Sequence, residues 1–136
     1  MKKLDNYRSA LRVLEQAPLQ DRTNEFVQSG IIGKFSLQFE FGWKLLGALL
    51  TYEGDQVSAS GSPREIIKRA FRYFDGMDEE AWLSMLRNRN DMTRIYDAVR
   101  ASALVERIVD DYIPVFQRLE AFVLERYASG ELDELA

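Results

Sequence analysis

The sequence predicts an all-α protein, an antiparallel four-helix bundle with an additional short helix, folded as a single domain. Three observations predict it. Apolar residues recur at helical spacing through most of the 136 residues, and the breaks between them carry helix-capping chemistry. The one stretch that alternates like a strand has no second strand with which to pair, so as a strand its backbone donors would stay unsatisfied.

Leu4, Tyr7, Leu11 and Leu14 lie at helical spacing, which predicts a first helix from Leu4 to Ala17, stopped by Pro18. Residues 22–53 form the second and longest helix, ended by Gly54, and residues 55–61 are a Ser/Gly loop. Ser62-Pro63-Arg64-Glu65 opens the third helix with an N-cap serine, proline at the first helical position and glutamate three residues on. That helix runs to about Phe74, and Asp75-Gly76 is a turn. Asp78 caps a fourth helix reaching about Arg94; a fifth begins after Asp97 and continues to Tyr127, ended by Ser129-Gly130. Pro114 removes one donor and crowds the preceding turn, so the fifth helix should bend near Asp110. The domain spans residues 1–130, and Glu131 to Ala136 form a frayed acidic tail.

The second helix contains the alternating stretch. Phe35, Leu37, Phe39, Phe41, Trp43 and Leu45 alternate with Ser36, Gln38, Glu40, Gly42 and Lys44. At about 100° per residue the same run resolves into sectors: Phe35, Phe39, Trp43, Leu46 and Leu50 on one side, Leu37, Phe41, Leu45 and Ala48 opposite, with Glu40 and Lys44 between. Two apolar faces need two partners. One is the chain's own bundle; the other is either a second copy, making a homodimer, or the rest of a monomeric bundle with this helix at its centre.

Composition narrows the function. With 46% hydrophobic and 29% charged residues the chain is an ordinary soluble domain; without cysteine it has no disulfide, thiolate chemistry or cysteine-ligated zinc, and it reads as cytoplasmic. No signal peptide or membrane span is evident, so no membrane partner is expected. Histidine is absent too, so no side chain has an unperturbed pKa near neutrality, which argues against acid/base catalysis. Asp78-Glu79-Glu80 and Asp110-Asp111 are carboxylate clusters without histidine or inward placement and read as a helix N-terminus and a solvated face, so neither a metal nor a cofactor is expected. The net charge is −4, yet residues 84–100 hold Arg87, Arg89, Arg94 and Arg100 against Asp91 and Asp97. An acidic chain with one basic patch suggests a local anion site rather than a general nucleic-acid binder.

That patch contains the candidate site. Arg89-Asn90-Asp91-Met92-Thr93-Arg94-Ile95-Tyr96-Asp97 puts two guanidiniums, an amide and a phenol within about two helical turns. Arg89 and Arg94 suit a fork for phosphate, with Asn90 and Tyr96 as neutral donors beside them. On spacing alone the arginines serve equally well as helix-end groups satisfying carbonyls. Glu40 and Lys44, four apart, are either an exposed ion pair or part of a groove with Trp43.

Four separated motifs carry a resemblance. Phe35-Ser36-Leu37-Gln38-Phe39-Glu40-Phe41-Gly42-Trp43-Lys44-Leu45-Leu46, Ser62-Pro63-Arg64-Glu65-Ile66-Ile67, Trp82 to Met85, and Arg89-Asn90 to Tyr96-Asp97 occur in the order and spacing of the nucleotidyltransferase substrate-binding protein family, which the chain resembles over residues 4–127. That family belongs to the wider HEPN class of helical bundles. The resemblance implies a homodimer, a separately encoded minimal nucleotidyltransferase as partner, and a nucleotide or phosphorylated substrate. Some relatives are ribonuclease toxins of two-gene toxin-antitoxin modules, restrained by a nucleotidyltransferase that can adenylylate a tyrosine near the motif, here Tyr96.

The chain departs from the family at one position. The family pattern is Arg-Asn, two variable residues, Thr or Ser, His, one variable residue, Tyr; this chain keeps Arg89, Asn90, Thr93 and Tyr96 but has Arg94 where histidine is expected. Arginine stays protonated, so Arg94 can hold phosphate but cannot act as a general base. Gly42 stands where a small residue such as Ala is usual, at a cost of up to about 1 kcal/mol in helix propensity, and points to close helix approach. The favoured reading is a non-catalytic binding subunit that presents Arg89, Asn90, Arg94 and Tyr96, with Glu40, Trp43 and Lys44, to its partner's substrate. An RNA-cleaving HEPN toxin, disfavoured by Arg94, and a purely structural dimer are the alternatives.

Overall fold

The computed structural model describes residues 2–55, 61–75, 77–92 and 97–127. Gly76, Arg94, Tyr96, Ser129-Gly130, most of the 55–61 loop and the acidic 131–136 tail lie outside the described residues. Among the described residues six α-helices follow in order: α1 Lys2–Leu14, α2 Glu25–Tyr52, α3 Pro63–Tyr73, α4 Glu79–Met92, α5 Ala98–Arg107 and α6 Ile113–Arg126. No strand occurs among the described residues, and none of the helices is long and apolar enough to cross a membrane. The all-α bundle is as expected, with α3 as the short additional helix.

Local chemistry explains the boundaries. α1 ends at Leu14, three residues earlier than its periodicity suggests, because Pro18 disfavours helical geometry just before it and the chain tightens into a 3-10 turn over Ala17–Leu19. Asn24 caps α2, its side chain accepting from the Phe26 and Val27 N–H groups at 2.9 and 3.2 Å. At the far end Gly54 takes a positive φ of 97°, and the Asp55 N–H reaches back to the Leu50 carbonyl at 2.9 Å. The Ser62 cap forms as expected, its hydroxyl accepting from the Glu65 N–H at 3.2 Å. Asp78 and Asp97 cap α4 and α5 in the same way.

Pro114 produces a wide turn in place of a simple bend. Residues Ile108–Tyr112 form a π-helical turn between α5 and α6, in which the Ile113 N–H bonds to the Ile108 carbonyl five residues back. Proline offers no donor and its ring crowds the turn before it; widening that turn relieves the crowding. The extra residue also rotates Tyr112 into the bundle, where it is buried and stacks on Phe35 at 5.4 Å.

α2 is the central element. α1 runs antiparallel to it: the buried Gln38 amide donates to the Tyr7 carbonyl at 3.0 Å, while Leu14 and Ile31 line one cleft nearer the α1–α2 connection. The Tyr7 hydroxyl in turn donates to the Phe116 carbonyl at 2.6 Å, tying α1 to α6. Phe35, Phe39, Leu45, Leu46, Leu49 and Leu50 are all buried inside the chain. Both apolar faces are buried, as expected, and the chain's own bundle covers most of each. Leu45 belongs to the chain's own core, and of its sector only Leu37 is left 48% exposed, with Phe41 and Ala48 half-buried. Both flanks of α2 are covered because α1, α3, α4 and α5 all pack against it.

At the far end of the bundle, Glu53 accepts from the Tyr127 hydroxyl at 2.9 Å, the Tyr73 hydroxyl at 3.2 Å and Arg126 at 3.3 Å. Burial pushes its carboxyl up, but these donors outweigh burial and hold it below the ordinary carboxylate range. One acceptor thereby joins α2, α3 and the end of α6.

The tightest contact lies at Gly42. A Cβ there would meet the Trp82 ring at 2.6 and 2.9 Å, and Trp82 is itself buried against Phe39 and Phe116. Gly42→Ala gains about 1 kcal/mol of helix propensity but overpacks a rigid indole, which costs about 1–3 kcal/mol. The expected result is net destabilisation in urea unfolding, with part of the loss recovered in the Gly42→Ala/Trp82→Phe double variant.

Candidate functional site

The sequence-predicted residues converge from two helices. Glu40, Trp43 and Lys44 sit on one edge of α2 because i, i+3 and i+4 share a helix face. Arg89, in the last turn of α4, reaches the same edge. Its Nη1 lies 3.0 Å from Glu40 Oε2, and its guanidinium lies 5.5 Å from the Phe39 ring centroid. Trp43 Nε1 donates to the same Oε2 at 3.1 Å, and Lys44 Nζ approaches Oε1 at 3.2 Å while sitting 5.8 Å from the Trp43 ring. Asn90 is exposed on α4, and Arg94 and Tyr96 lie outside the described residues.

Glu40 is the hub of this cluster. Partial burial pushes its carboxyl up, but hydrogen bonds from Trp43 and Lys44 and the charge of Arg89 outweigh burial and hold it below the ordinary range. Two cations against one carboxylate leave a surplus positive charge at the surface. A guanidinium carries five donors, so a carboxylate on Nη1 does not exhaust Arg89. The arrangement can steer and orient an anion. Among the described residues no three carboxylates or other ligands are grouped to hold a metal ion.

A second polar cluster escaped the sequence reading. Tyr112 Oη accepts from Asn88 Nδ2 at 2.6 Å and shares a 2.7 Å hydrogen bond with the buried Ser84 hydroxyl. Ser84 and Asn88 are four residues apart, so they face the same way from α4. Spacing hides their partner, because Tyr112, Phe116, Phe122 and Tyr127 recur at helical spacing as core residues do. Phe122 is only partly buried; the other three are buried, yet the Tyr112 and Tyr127 hydroxyls also carry polar contacts.

A carboxyl whose pKa is lowered in the folded chain stabilises it above the unfolded value of about 4.3 and loses that contribution as the pH falls through the folded value. Glu40→Gln is therefore expected to cost about 0.5–1 kcal/mol at pH 7, as for a partly exposed ion-pair cluster. The cost should shrink as urea unfolding is repeated at acid pH below about 4. A difference that stays constant with pH would mean that the charge of Glu40 is not what the cluster uses.

The helical bundle, the α2 edge and the end of α4 are the elements that the motif resemblance had singled out. No curated protein matches the chain. Residues 2–125, from the start of α1 to the last turn of α6, match the family described as nucleotidyltransferase substrate binding protein like, and the chain belongs to that family.

Proposed function

We propose that the chain is a cytoplasmic, HEPN-class binding subunit without chemistry of its own, which presents an anion-binding edge to a substrate handled by a separate minimal nucleotidyltransferase. The edge comprises Arg89, Asn90, Arg94 and Tyr96, flanked by Glu40, Trp43 and Lys44. The single observation that carries this reading is the Arg89-Asn90 motif in a chain that contains no histidine and has Arg94 at the motif's histidine position. That exchange keeps positive charge and discards proton transfer, whereas decay of a catalytic site would more often leave a neutral residue. The convergence of Arg89 with Lys44 and Trp43 supports an edge that can hold a phosphorylated ligand. Tyr96 is the residue that such a partner would adenylylate in a toxin-antitoxin-like pair.

The test is a nucleoside triphosphate titrated onto the chain, with and without a minimal nucleotidyltransferase. Arg89→Ala and Arg94→Ala should each weaken binding about tenfold, the loss of one charge-assisted, forked contact. The purified chain should leave RNA uncut, with Arg94→His gaining weak cleavage at most. Unchanged affinity in both alanine variants, or robust RNA cleavage by wild type that Arg89→Ala abolishes, would overturn the reading.

A homodimer belongs to the same proposal, and its support is the outward stripe of α2. Leu37 is half exposed there, and Cβ positions built at Gly30 and Gly33 meet nothing within 4 Å, leaving room for the close approach of a second helix. Sedimentation at micromolar concentration should give twice 15.8 kDa for wild type. Leu37→Asp should give a folded monomer, because the aspartate would be desolvated only at the interface.

A further inference from the structure

We propose that the cleft between α4 and α5 is a phosphate-binding site, in which Arg100 and Arg107 grip the phosphate of a nucleotide and Asn88 closes the opposite wall. The cleft encloses about 230 Å³ and is lined by Asn88 and Asp91 of α4 and by Arg100, Ala103, Leu104 and Arg107 of α5. Positions 100, 103, 104 and 107 form one stripe of α5 facing α4. The two arginines stand two turns apart, about 10 Å, with buried Leu104 as the floor between them. Two long side chains at that separation can converge on one tetrahedral anion, each offering a planar fork of donors.

These two arginines are paired more loosely than several others on the surface. Arg22 meets Glu106 at 2.8 Å, Arg69 meets Asp55 at 2.7 Å and Arg89 meets Glu40 at 3.0 Å. Arg100 comes only to 4.0 Å from Asp91, and Arg107 only to 3.6 Å from Asp111, both beyond hydrogen-bonding distance. Their side chains are 52% and 50% exposed. Arg107 is nevertheless held in place, 5.2 Å from the Tyr112 ring centroid, and Tyr112 is fixed by Ser84 and by Asn88 of the same cleft. The π-helical turn that turns Tyr112 inward therefore anchors both walls of the cleft.

The position of Arg100 points the same way. It lies in the first turn of α5, whose cap Asp97 accepts from the Val99 and Arg100 N–H groups, so its positive charge adds to the positive end of the helix rather than compensating it. An anion in the cleft relieves that repulsion. The volume falls below the roughly 300–1,000 Å³ of sites that enclose a whole small ligand, so the cleft takes the phosphate and adjoining sugar and leaves the base outside. The site shares no residue with the Glu40–Arg89 cluster and stands independently of it.

The experiment is calorimetric titration of the full chain at low and moderate salt with inorganic phosphate, a nucleoside monophosphate and the same nucleoside without phosphate. Both phosphate-bearing probes should bind, the monophosphate at least as tightly, and the nucleoside should not. With the other edge silenced by Arg89→Ala, Arg100→Gln and Arg107→Gln should each weaken the monophosphate about tenfold, and the double variant in that background should abolish binding. Arg→Lys at either position should fall between, because it keeps the charge and loses the fork. Arg64→Gln, an equal change of charge on exposed α3, should titrate like wild type. Thermal unfolding confirms that the variants are folded. The proposal is overturned if wild type shows no saturable phosphate binding, if the nucleoside binds as well as the monophosphate, or if the Arg100→Gln/Arg107→Gln double variant retains the affinity of its Arg89→Ala parent. Loss in Arg89→Ala alone would place the anion at the other cluster.

Discussion

The close contact of the Trp82 ring with the bare backbone of Gly42 sets how near α4 comes to α2, and the rest of the molecule depends on that spacing. The indole fills the space that a Cβ would take, packs on Phe39 and Phe116 and so fixes α4 against both α2 and α6. Seven residues further along α4, about two turns, Arg89 comes over the Phe39 ring and reaches Glu40. A side chain at position 42 would push α4 outward. The ion pair, which operates at 3.0 Å, would feel that shift sooner than the apolar core would.

Three polar acceptors do in the bundle what apolar packing cannot, because burial is non-directional and does not choose among rotations of a helix. Glu40 gathers donors from α2 and α4, Glu53 gathers them from α3 and the end of α6, and the Tyr112 hydroxyl joins the π-helical turn to Ser84 and Asn88 of α4. Each is a point where several donors must meet one group, which specifies rotation and register. Gln38 shows the converse. Its amide nitrogen is used by the Tyr7 carbonyl, but its buried oxygen has no protein partner among the described residues, so it holds α1 to α2 at some cost in desolvation.

Much of this architecture was legible because its signals are local. The Ser62, Asp78 and Asp97 caps, the Gly54 terminus and the disturbance ahead of Pro114 all follow from a few neighbouring residues. The alternation from Phe35 to Leu45 misleads only at first sight, since a 28-residue helix packed by several others buries more than one stripe. What remained hidden was pairing across the chain. No spacing rule says that Tyr112 will meet Asn88, that Arg89 will meet Glu40, or that Leu45 faces inward while Leu37 does not. These follow from the rotation of each helix, which the π-helical turn and the Gly42 contact set through tertiary packing. Asn24 was a missed local signal, an asparagine cap directly before Glu25.

The absence of histidine shapes what such a surface can sense. A guanidinium is a permanent cation, so an anion site built from arginines holds a constant positive potential. A phosphate monoester does not: its second ionisation falls near pH 6. Between about pH 5 and 8 any change in affinity would therefore come from the ligand gaining its second negative charge rather than from the protein. A histidine in the motif would have coupled binding to its own titration and, with it, to proton transfer. Under the function proposed above, a permanent cation in place of that histidine separates holding a phosphorylated group from acting on it, the division of labour expected if the chemistry resides in another polypeptide.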